Sequence, residues 1–113
     1  MKAIYVSLLV AAGLVSASAQ AADESALAQT KGCLACHNPE KKVVGPAYGW
    51  VAKKYAGQAG AEAKLVAKVM AGGQGVWAKQ LGAEIPMPAN NVTKEEATRL
   101  VKWVLSLKQI DYK

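Results

Sequence analysis

Histidine is almost absent from this chain. Among 113 residues there is one, His37, and there are two cysteines, Cys33 and Cys36. A structural zinc site needs four ligands, which two thiols and one imidazole do not supply. No second histidine or clustered acid accompanies them to complete a catalytic set. Strand signals are missing as well: no run alternates apolar and polar residues for long. Without strands there is no βαβ frame for a thioredoxin-like thiol pair. Long apolar runs are confined to the first residues. Ala3 to Val15, broken only by Ser7 and Gly13, is about 13 residues long, short of the ~20 that a spanning helix needs. No internal repeat and no low-complexity tract interrupts the rest.

That first run has the form of an export leader. Lys2 gives a short positive start, and Ala19-Gln20-Ala21 fits the small-x-small rule for cleavage. Residues 1–21 are therefore expected to be removed, leaving 22–113 as a single domain without stable membrane insertion. Only Lys2 leaves with the leader, so 13 basic side chains face 8 acidic ones and the formal charge is about +5. Two cysteines in an exported chain ordinarily suggest a disulfide. Here it would close a tiny loop and gain little.

What is present is helix. A first helix is predicted from Asp23 or Ser25 towards Gly32, since both residues cap well. Pro46 can open a second that runs to about Tyr55 and stops at Gly57. A third covers Ala61 to Met70 and ends at Gly72 and Gly73. The stretch from Gln74 to Val92, with two glycines and two prolines, reads as irregular chain of a length that is usually functional. Thr93-Lys94-Glu95-Glu96 is a capping box. It opens a last helix with Ala97, Leu100, Val101, Val104 and Leu105 on one apolar face. Trp103 lies off that stripe.

Cys33-Leu34-Ala35-Cys36-His37 is the segment that carries chemistry. Two thiols three positions apart can add across two vinyl groups on one edge of a porphyrin. The adjacent imidazole is then delivered to the iron. This spacing is the attachment signal for a covalent haem c, and an export leader agrees with it. Because His37 is the lone histidine, the sixth iron position must be filled by a thioether or a lysine, or stay open. Past the leader two methionines remain. Met70 closes a helix among apolar neighbours, as core methionines do. Met87 lies between Pro86 and Pro88, which fix the backbone and stiffen its setting. Met87 is the expected distal ligand; the alternative is a methionine that plugs a loop onto the core.

Beyond the attachment motif, the chain carries Val44-Gly45-Pro46-Ala47-Tyr48, Tyr55-Ala56-Gly57, Gly75-Val76-Trp77, Ile85-Pro86-Met87-Pro88 and Lys102-Trp103-Val104-Leu105. With these blocks it resembles the small bacterial class I cytochromes of the c-551 and c-552 type. The resemblance implies an all-α class I cytochrome c fold, about four short helices wrapped around one haem, with His37 and Met87 as axial ligands. It implies that the carbonyl of Pro46 accepts the His37 Nδ1 proton, which would orient the ring. It also places Trp77 and Lys68 near a haem propionate and Asn90 near the methionine sulfur. Two departures stand out. Ala89 replaces a second proline after Met87, and the stretch between Trp77 and Met87 is longer than usual.

The expected function is a periplasmic, monomeric electron carrier, not an enzyme. Its donor would be a cytochrome-reducing complex. Its acceptor would be a terminal oxidase, a nitrite reductase or a peroxidase. Lys31, Lys41, Lys42, Lys53, Lys54 and Lys79 are candidates for a docking ring that steers acidic partners; the plainer reading is a surface kept soluble by charge. Nucleic acid is not an expected partner, because the basic residues form no long cluster. Two rivals are a haem enzyme or gas sensor with an open sixth site and a haem-free thiol oxidoreductase. The first needs polar distal groups, and the only histidine is already used.

Overall fold

The last helix shows how this sequence starts and orients a helix. Thr93 Oγ1 accepts from the Glu96 N–H at 3.0 Å, and Glu96 Oε1 accepts from the Thr93 N–H at 2.9 Å. Both halves of the capping box are thus closed. In this computed structural model, which describes residues 21–83 and 85–112, the helices are α1 (Ser25–Thr30), α2 (Tyr48–Tyr55), α3 (Ala61–Ala71), α4 (Ala78–Leu81) and α5 (Lys94–Ser106). A 3-10 turn, Cys33–Ala35, follows α1. No strand occurs among the described residues. The leader expected over residues 1–21 lies outside them, Ala21 excepted.

Helix α5 packs against both α2 and α3, and α1 leans on it. Ala97, Leu100, Val101 and Val104 are buried as the apolar stripe predicts, and Leu105 is partly buried. They meet Tyr48, Val51 and Tyr55 from α2 and Leu65 and Val66 from α3. Each leucine or valine among them, fully buried, stabilises by roughly 1.5–3 kcal/mol. The buried face is wider than the stripe. Trp103 is 5% exposed and meets Tyr48 edge-on at 5.6 Å. Surface contacts tie α1 down: Arg99 donates twice to the Glu24 carboxylate, at 2.9 and 3.0 Å, and Lys31 lies 3.4 Å from Glu96.

Three boundaries differ from the sequence reading. Helix α2 starts at Tyr48 rather than Pro46, because the preceding loop supplies the acceptors for its first turn. The Tyr48 and Gly49 N–H groups donate to the carbonyls of Asn38 and Pro39, each at 2.9 Å. Helix α3 runs one residue further, to Ala71, and ends as expected at Gly72, whose φ of +81° suits glycine. Inside the stretch read as irregular, α4 forms a single turn closed by Gly82 at φ +77°.

Candidate functional site

After Gly32, in left-handed conformation at φ +78°, the chain tightens into the 3-10 turn. The Cys36 and His37 N–H groups both donate to the Cys33 carbonyl, at 3.2 and 3.0 Å. This brings both thiols and the imidazole to one wall of a cleft. Both cysteines are half-buried and neither is in a disulfide. Burial pushes the Cys33 thiol up, against a hydrogen bond with Tyr48 that lowers it.

The His37 ring is held from several directions. Its Nδ1–H donates to the Pro46 carbonyl at 2.8 Å. A carbonyl can only accept, so Nε2 carries the lone pair. Burial pushes the imidazole below its ordinary value, the Pro46 bond acting the other way. A neutral ring with a bare Nε2 is the form that binds a metal. Tyr48 stacks on it with centroids 4.8 Å apart and planes at 19°. Gly45 closes the Cε1 side, where a Cβ would stand 2.5 Å from that atom.

Met87 enters the cleft from the loop before α5. Its N–H donates to the Gly73 carbonyl at 2.7 Å, and the Gly73 N–H donates back at 3.0 Å. Gly72 lets the two segments approach: a Cβ there would collide with the Met87 carbonyl oxygen and stand 2.9 Å from the Ala89 nitrogen. Asn90 Nδ2 donates to the Val69 carbonyl at 2.8 Å and to the Pro88 carbonyl at 3.3 Å. The two prolines therefore share the task with a bridge to the end of α3. Met70 is 36% exposed and does not line the cleft.

Trp77 and Lys68 line the same cleft as Cys33, Cys36, His37, Pro46 and Met87, whereas Asn90 stands behind its wall. Much of the remaining lining is apolar, from Val51, Leu65, Val69, Leu100, Val101 and Val104. The space between these walls is open to solvent. Much of the core thus faces a gap that these side chains do not fill. Among the described residues no three His, Cys, Asp or Glu side chains converge to hold a bare metal ion. A flat apolar macrocycle carrying iron, tethered by two thiols, meets each of these conditions.

The lysines of the expected docking ring differ in their contacts. Lys31 and Lys53 are engaged with Glu96 and Asp111. Lys54 lies 5.5 Å over the Trp77 ring, and Lys41, Lys42 and Lys79 are exposed. Sequence reasoning missed the roles of Gly45, Gly72, Gly73 and Tyr48. A glycine next to Pro46 signals a turn, but its approach to His37 depends on the fold.

Comparison with known proteins agrees with this geometry. The cytochrome c family model matches residues 21–108. Cytochrome c-551 of Pseudomonas aeruginosa is 51% identical over 102 residues, covering 90% of this chain and 93% of that one. Cytochrome c-552 of Hydrogenobacter thermophilus is 45% identical over 107 residues, covering 95% and 98%. Wild-type cytochrome c552 of Nitrosomonas europaea superposes with a TM-score of 0.67 at 44% identity, over 74% of this chain and 98% of that one. Likeness that extends along the helices, attachment motif and cleft alike is membership, and the chain belongs to the cytochrome c family as a small electron carrier of the class I fold with one covalent haem c.

Proposed function

We propose that the chain is exported, loses residues 1–21, and works in the periplasm as a one-electron shuttle whose iron is held by His37 and Met87. The observation that carries this reading is the composition of the cleft. It gathers Cys33, Cys36, His37 and Met87 and leaves Met70 outside. When bound, the haem supplies a ferric/ferrous couple that accepts and returns one electron. The protein's part is to hold that couple in one geometry. The Pro46 carbonyl accepts the Nδ1–H hydrogen bond, which leaves Nε2 as the nitrogen free to bind iron. Tyr48 and Gly45 keep the ring from turning. The bridge from Gly73 fixes the Met87 backbone, and a soft thioether favours the ferrous form and raises the potential. The apolar walls exclude water, which disfavours the more highly charged ferric state. A haem held by both His37 and Met87 would offer oxygen no open site, so the reading is a carrier without turnover of its own.

Lys68 and Trp77, which line the cleft, are read as the residues that would receive a haem propionate, and Asn90 as a support of the Met87 loop through Val69 and Pro88. The natural partners are redox proteins with acidic docking faces: a cytochrome-reducing complex as donor and a terminal oxidase, nitrite reductase or peroxidase as acceptor. Among the described residues no helix is long and apolar enough to cross a membrane. The ferric spectrum of the protein matured in a host that attaches haem c tests the reading. Low spin with a far-red thioether-to-iron band supports it. A high-spin spectrum, or rapid carbon monoxide binding after reduction, rejects it. Mass and amino-terminal sequence of the exported product test cleavage after Ala21.

A further inference from the structure

The family match ends at residue 108, yet the chain past that point is packed, and what it packs on is the wall of the cleft. Ile110 fills the notch over Gly49, where a Cβ would stand 2.7 Å from its Cδ1, and its N–H donates to the Gly49 carbonyl at 3.1 Å. Lys53 pairs with Asp111 at 2.5 Å and lies 5.2 Å above the Tyr112 ring. Tyr112 then meets Trp77 and Trp50 edge-on, at 5.7 and 6.0 Å. The two indoles lie 6.2 Å apart. Trp50 is core, 3% exposed, whereas Trp77 lines the cleft and begins α4.

Trp77 needs such support. It stands at the near end of the lengthened stretch that leads to Met87. The backbone hydrogen bonds over Gly75 to Gly82 stay local, from Ala78 to Gly75, Leu81 to Trp77 and Gly82 to Ala78. A single helical turn does not hold itself in water. Side-chain packing has to fix it, and the largest side chain there is the indole that Tyr112 touches.

We propose that the tail Leu107–Tyr112 is a clasp, with Tyr112 as a positioning residue that presses Trp77 against Trp50. It thereby fixes the wall of the cleft and the root of the Met87 loop. The proposal rests on the cleft being the haem site, and the two can fail separately. The test is amide hydrogen exchange on the haem-loaded full chain, on Tyr112→Ala, on Tyr112→Phe and on a chain ending at Lys108. In Tyr112→Ala and the shortened chain, exchange over residues 77–82 is expected to rise about tenfold while α3 and α5 keep their protection. Tyr112→Phe, which retains the ring, is expected to exchange like the parent. An unchanged rate over 77–82, a uniform rise throughout, or failure of phenylalanine to rescue would overturn the clasp. A parent protein that matures without colour would overturn instead the haem reading beneath it.

Discussion

Gly73 and Met87 exchange both of their backbone hydrogen bonds, the Met87 N–H to the Gly73 carbonyl at 2.7 Å and the reverse at 3.0 Å. One pair of residues, with Gly72 beside it, thus joins the end of α3 to the loop that carries the thioether. The join depends on Gly72, whose positive φ and missing Cβ let the two segments approach.

Replacing Gly72 by alanine tests the join. The residue sits at φ +81° and its new Cβ would meet the Met87 carbonyl oxygen. At φ +81° and ψ −178° the backbone is in a region that is essentially glycine's alone, which costs roughly 1–3 kcal/mol for an alanine, and the collision adds to it. Denaturant unfolding should show at least that loss, and the far-red band should weaken as Met87 is displaced.

Met87→Ala is expected to abolish the far-red band and lower the potential. Met70→Ala should do neither. At 36% exposure Met70 is not a core residue, so its truncation is expected to cost no more than about 1 kcal/mol, well below the ~2–4 kcal/mol of a buried methionine. Loss of the band in Met70→Ala instead would reassign the ligand.

Gly45→Ala should act through His37. A Cβ 2.5 Å from Cε1 forces the ring or the loop to move, at the expense of the 2.8 Å bond to Pro46. The expected result is a lower yield of haem-loaded protein and altered imidazole resonances, read by optical and proton NMR spectra. Identical spectra would show that the ring has room to spare.

The cap of α5 has both a stability and a pH signature. Thr93→Ala removes the hydroxyl that accepts from Glu96, a loss of about 1 kcal/mol. The Glu96 carboxyl lies below its ordinary value, chiefly through the Thr93 N–H and then through Lys31. A depressed folded value means the contribution is fully present above the unfolded pKa and fades as pH falls through the folded one. Glu96→Gln should therefore lower stability at neutral pH, leave strongly acid pH comparatively little changed, and so flatten the profile between them, read by denaturant unfolding across pH.

Lysine steering predicts that electron transfer to an acidic partner slows steeply with salt. Lys41, Lys42 and Lys79 are exposed, whereas Lys31 and Lys53 are engaged within the protein. Charge reversal at the first three should reduce the salt dependence more than reversal at Lys31. A flat salt profile in the parent would end the steering idea.

How far the sequence reaches depends on whether a feature is local. The start of α5 is legible because a capping box is four consecutive residues, and the glycines that end α3 are legible for the same reason. The attachment motif is likewise local. Helix α4 escapes notice because one turn carries no periodicity to read. The late start of α2 escapes because its first acceptors are the carbonyls of Asn38 and Pro39. Trp103 is buried although it falls off the apolar stripe, since Tyr48 reaches round to meet it. The partners of Gly45, Gly49 and Gly72 lie in other segments, so their tight contacts appear only once the chain is folded.

Glu24 and Arg99 grip one another across 75 positions of sequence. Helix α1, six residues long, cannot persist unaided in water, so it waits for the far end of the polypeptide to arrive. The segment that leads into the two thiols is thus fastened by a side chain of the last helix, so loosening α5 is expected to loosen the approach to Cys33 as well.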